Sequence, residues 1–195
     1  MNTEESRDVR RGAFNNIVSA LNIEVTLPER VFTESWTNFL FFPSDNVFTE
    51  KFVDVIRDLL DIENAKVCCL INLSQTSSFE FETIAAIFLD KEITGEIYDA
   101  KLRGDEPSVG WLYQVDSYAC ASDVGGWCIY CDKENDIAVI GFRNGFDNEY
   151  FRLPMKNLGA WPIEDVVVGG CAPIFPFDQL TSEWLSKLIE NYRGK

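Results

Sequence analysis

Two cysteines three apart, directly after a tryptophan, stand in "GWCIYCDKEND" from Gly126 to Asp136. Thiols at this spacing can form a redox dithiol or half of a zinc site. Redox use needs Cys128 at a helix N-terminus, where the helix dipole lowers the thiol pKa. Cys131 instead leads into the turn-like cluster "DKEND" and then the β-branched "IAVIGFR". Carboxylates at Asp132, Glu134 and Asp136 would raise a thiol pKa rather than lower it. Zinc needs four converging ligands, whereas residues three apart on a strand point to opposite faces. The chain has no second C-x-x-C and no histidine. Cys128 and Cys131 therefore read as packing residues in the first strand of a hairpin, with no catalytic residue and no metal ligand assigned.

The segment Trp127-Cys128-Ile129-Tyr130-Cys131 resembles the W-C-x-x-C of thioredoxin-like oxidoreductases, and "GGCAPIFPF" is similar to the proline segment facing such a centre. The resemblance covers those residues only, and it implies a thiol enzyme as one alternative. The missing histidine removes Ser-His-Asp and Cys-His catalysis together with histidine bases and ligands. Asp132, Glu134 and Asp136 have the D-x-E-x-D start of a calcium loop, but Ile137 stands where such a loop needs glycine and Arg143 where it needs glutamate. A phosphate-binding glycine loop is missing too: "VVVGGCAPIF" lacks its lysine and remaining glycines. With 32 acids, a carboxylate pair meeting in space carries no sequence signal.

Charge narrows the partners. The chain has 17 basic and 32 acidic residues, a formal charge of −15. Such a surface repels phosphate backbones and anionic lipids, so nucleic acid and membrane are disfavoured and a basic protein fits better. From Asp105 to Asp136, seven acids (Asp105, Glu106, Asp116, Asp123, Asp132, Glu134, Asp136) face one base, Lys133. Trp111 opens a strand after the acidic loop "GDEPSVG", and an aromatic rimmed by carboxylates is how a hot spot for a basic partner would look. Asp105, Glu106, Trp111, Asp116 and Asp123 are the candidate partner-binding residues. A strand-end core residue is the equal alternative for Trp111.

Positioning these residues falls to one α+β domain over residues 1–195, in which 1–7 reads as a solvated tail. A length of 195 residues, 46% of them hydrophobic, suits a single core. Phe14, Ile17, Val18 and Leu21 mark a helix from Asp8 to Asn22. "ESWTNFLFFP" reads as a strand, Thr49 as the cap of a helix ending near Glu63, and "AKVCCLINLS", with Cys68 and Cys69, as a central strand. "FEFETIAAIFLD" is read as a helix capped by Ser77 or Ser78, and "EITGEIYDAKLRGDEPS" as a short helix or turn before an acidic loop. From Trp111 the period is two. "WLYQVDSYACAS", "GGWCIYC", "DIAVIGFR" and, after an Asn-Gly turn, "FDNEYFRL" predict an antiparallel meander of about four strands. A short strand at Val166 to Val168 and a helix from Thr181 to Tyr192 close the chain. Three or four helices are expected on a mixed or antiparallel sheet.

No segment reaches the eighteen or so apolar residues of a membrane span, and "MNTEESRDVRR" lacks a signal-peptide core, so a cytoplasmic location with reduced thiols is expected. Size, charge and the hairpin "WCIYCDKENDIAVIGF" are similar in kind to small acidic bacterial immunity proteins, which neutralise toxins, many of them basic nucleases. That class resemblance implies protein binding without catalysis or cofactor. The alternatives are an enzyme using carboxylates or the C-x-x-C thiols, and an accessory subunit of a larger assembly.

Overall fold

A computed structural model describes residues 3–74, 80–104, 110–111, 115–146, 149–167 and 180–193. Six strands form one sheet: β1 (Trp36–Phe42), β2 (Val67–Asn72), β3 (Ala86–Asp90), β4 (Ser117–Ser122), β5 (Trp127–Asp132) and β6 (Ile137–Arg143). Their order is β1-β6-β5-β4-β2-β3, and every neighbouring pair is antiparallel. The described helices are α1 (Thr3–Ala20), α2 (Glu50–Glu63), α3 (Gly95–Arg103), α4 (Glu149–Met155), α5 (Ile163–Val167) and α6 (Ser182–Tyr192). The fold is α+β, with more helices than the three or four expected because α4 and α5 are short.

Register explains the layers. Phe39, Gly141, Cys128, Ala121, Cys69 and Phe88 form one row across all six strands. Small residues in its middle leave a trough, in which α1 lies over β2, β4 and β5. A Cβ at Gly141 would come within 2.8 Å of the Phe32 ring, so the trough is filled there as well. Tyr192 of α6 meets Phe39 and Phe41 edge-on at 5.0 and 5.4 Å on the same face. The opposite face carries α2, α3 and α4; Phe142 of β6 meets Phe151 of α4 at 6.1 Å. With both faces covered, β2 and β5 are buried along their whole length.

Several expectations change. The tail at 1–7 is helical from Thr3 onward, held by Lys66–Glu5 at 2.9 Å and by Arg7–Glu82 at 3.1 Å. The helix expected in "FEFETIAAIFLD" is, over its described part, a turn leading into β3, since pairing with β2 satisfies a backbone whose local pattern is ambiguous. Ser77 and Ser78 lie outside the described residues. After Gly145 (φ 92°) the chain forms α4 rather than a fourth meander strand, and β1 takes that place beside β6. The strand expected from Val166 is helix α5 over its described residues. Thr49 occupies the N-cap of α2, but its hydroxyl donates to Asn46 O at 2.7 Å instead of capping the helix. Strands β1 and β2, on either side of α2, run in the same direction with β6, β5 and β4 between them.

Candidate functional site

Cys128 and Cys131 lie on opposite faces of β5 and are both fully buried. Desolvation pushes both thiols above their ordinary pKa, and the Arg143 charge offsets this only in part for Cys128. Neither the geometry nor the electrostatics supports a thiolate. Among the described residues, no group of three or more histidine, cysteine or carboxylate side chains is placed to hold a metal ion.

The acids of the β5–β6 turn gather at one end of the sheet. Asp132 accepts from the Asn135 backbone N–H at 3.1 Å and from its side-chain amide at 2.8 Å, so it builds the turn. Asp136, at φ 49°, accepts the Ser44 hydroxyl at 3.0 Å and the Asp45 N–H at 3.1 Å, tying the turn to the 3₁₀ helix Ser44–Phe48. On the other side the Lys133 N–H donates to Asp116 O at 2.9 Å. Asp45, Asp116 and Glu134 are thereby set along this end, exposed, and they form no ion pair among the described residues. The Lys133 ammonium lies over the Phe48 ring at 5.8 Å.

Beneath these carboxylates sits an aromatic cluster. Phe48 meets Tyr118 at 5.0 Å and Trp111 at 6.2 Å, and Trp111 meets Tyr118 at 5.8 Å. Trp111 is only 9% exposed, so it supports the acidic end as a core residue. The hydroxyls of Tyr118 and Tyr98 donate to Ser44 O and Val47 O, each at 2.8 Å, and fix the 3₁₀ helix from below.

Asp123 lies elsewhere. It follows β4 as Asp116 precedes it, so the two acids are roughly 20 Å apart at the ordinary strand rise. Its Oδ1 accepts the N–H groups of Lys66 and Val67 at 2.9 and 3.0 Å, which starts β2. Near it Glu63 accepts from the Ser122 hydroxyl and from the Gly126 N–H. Burial raises the Glu63 pKa, the two hydrogen bonds oppose the rise, and the Asp123 charge adds to it.

The sheet end thus unites Asp116 with Asp45 and Glu134, places Trp111 beneath them, and leaves Asp123 at the far end. Asp105 and Glu106 lie outside the described residues. Asp45 carried no individual signal, since it reaches the group through the β1 pairing, while Glu134 stood out only as a member of the acidic run and of the D-x-E-x-D pattern. Glu63 had one: an acid in the last turn of a helix opposes the helix dipole, which points to a tertiary partner. The fold and this end define a class, an α+β protein with an antiparallel sheet and a carboxylate-lined sheet end. Comparison with protein-family models, curated proteins and solved structures finds no match for the chain.

Proposed function

We propose that this protein is a non-catalytic acidic binding module for a basic protein, acting in the cytoplasm in the manner of a bacterial immunity protein that neutralises a basic toxin. The observation that carries the reading is the exposed trio Asp45, Asp116 and Glu134, which has no ion pair among the described residues, in a chain of −15. Their summed field steers a cationic surface toward the sheet end and raises its association rate. The buried thiols give the redox alternative no support.

The test starts from the genes beside the protein's own, taking from them any that encodes a basic toxin. Co-expression is expected to relieve its toxicity, and stopped-flow mixing to show association that slows as salt rises. Changing Asp45→Asn, Asp116→Asn and Glu134→Gln together is expected to slow association about tenfold and flatten its salt dependence, with dissociation little changed. No protection and no complex would overturn the reading. A complex with unchanged association in the triple variant would place the surface elsewhere.

A further inference from the structure

We infer that the outer face of α2 and α4 is a self-association surface, on which a second copy of this chain docks across a two-fold axis. Tyr150 and Leu153 on α4 are 75% and 60% exposed, the highest values among the described large hydrophobic residues. Helix α4 runs antiparallel beside α2. Phe146, just before α4, flanks Gly126 together with Glu63 at the end of α2, while Asn46, just before α2, donates to Leu158 O beyond α4 at 2.9 Å. Tyr150, Leu153 and Asn157 recur at helical spacing, as do Lys51, Asp54 and Asp58 on α2. The two stripes meet in a cleft lined by Lys51, Asp54 and Asn157.

Charge selects the occupant. Across this cleft and its neighbour, which shares Asp54, the lining is Lys51, Arg57 and Lys91 against Asp54, Asp58 and Asp61, a balance of three and three in a chain of −15. A basic partner gains little from these neutral clefts, whereas two −15 chains approach each other most readily where charge cancels. Asp54 is paired with Arg57, and Asp61 with Lys91 at 2.7 Å, so Lys51 and Asp58 form no ion pair among the described residues. A two-fold axis crossing both helices stacks α2 on α2 and α4 on α4, each antiparallel. Lys51 then meets Asp58 of the second copy and the reverse, as an isologous interface requires, while Tyr150 and Leu153 cover their counterparts. With Tyr150 and Leu153 as its large apolar groups, the face is at the small end of stable interfaces, so the dimer is weak, with a Kd on the order of 10 μM.

Sedimentation velocity on the intact protein across concentration tests this. A monomer–dimer equilibrium is expected, and it tightens between about 0.05 and 0.3 M salt because screening relieves the repulsion between two −15 chains. Salt acts in the opposite sense on the proposed basic partner, so the two surfaces are told apart. Leu153→Glu is expected to raise the dimer Kd at least about tenfold, and Val18→Glu, on α1 in the opposite layer, to leave it unchanged. Lys51→Asp weakens the dimer and the double variant with Asp58→Lys restores it. A chain that stays monomeric at hundreds of micromolar, a dimer indifferent to Leu153→Glu, or a double variant without recovery would each overturn the inference.

Discussion

The Glu63 carboxylate, at the last turn of α2, accepts the backbone N–H of Gly126 at 2.5 Å, so one acid holds a helix end against the β4–β5 turn. The same carboxylate receives the Ser122 hydroxyl, which itself accepts the Gly125 N–H at 2.9 Å. A Cβ at Gly126 would overlap both the Phe146 ring and this carboxylate, which is why glycine stands there.

Burial raises the Glu63 pKa above its ordinary value of 4.5, so the folded chain takes up this proton more readily than the unfolded one. The stability linked to it is complete below the ordinary value and is lost as pH rises through the raised folded value. Glu63→Gln is expected to flatten the dependence of urea stability on pH just above the ordinary carboxylate value of 4.5 and to be tolerated at neutral pH. Glu63→Ala, which strands the Ser122 and Gly126 donors, is expected to cost about 1–3 kcal/mol. A Gln variant with an unchanged pH profile would show that Glu63 is not the titrating group.

Trp111 packs on Phe48 and Tyr118 and is nearly closed to solvent. Trp111→Ala is expected to destabilise the protein by about 3–5 kcal/mol in urea titration, the range for a buried aromatic truncated to alanine. The loss is expected in the protein alone, with no partner present. A destabilisation below about 1 kcal/mol would show that the ring is dispensable to the core.

Cys128 and Cys131 occupy separate rows on opposite faces of β5, each with desolvation raising its thiol pKa. Native protein is expected to leave both unmodified by a thiol reagent at pH 7–8, with labelling that keeps pace with global unfolding as urea is added. Fast labelling of either cysteine in the native state would contradict the burial.

Asp116 and Asp123 flank the same strand, β4, but differ in what they do. Asp123→Ala removes the acceptor for two N–H groups at the start of β2 and is expected to cost about 1–3 kcal/mol. Asp116→Asn is expected to change stability by less than about 0.5 kcal/mol while slowing association with a basic partner. Equal effects of the two substitutions on association would mean that only net charge matters, not its placement.

What the sequence determined by itself is the part governed by local rules. The helical spacing of Phe52, Ile56, Leu59 and Leu60 marks α2 and its end near Glu63, where the structure turns at Asn64, because a helix satisfies its own backbone within the segment. Composition alone sets the charge of −15 and removes histidine chemistry. Tertiary structure decided the rest. "AIFLD" becomes β3 through β2, and β1 lies next to β6 rather than β2; strand hydrogen bonds are made with distant partners, and no local spacing encodes which. "NEYFRLPM" carries aromatic residues that suit a strand, yet it folds as α4 from Glu149 onward, where Phe151, Pro154 and Met155 are buried. The candidate site divides in the same way. Its acidic character was legible between Asp105 and Asp136, but strand β4 carries Asp116 and Asp123 to opposite ends, and the β1 pairing brings in Asp45. Whether a carboxylate caps a strand or faces solvent depends on which backbone N–H groups the fold leaves beside it, and that is set only when the sheet closes.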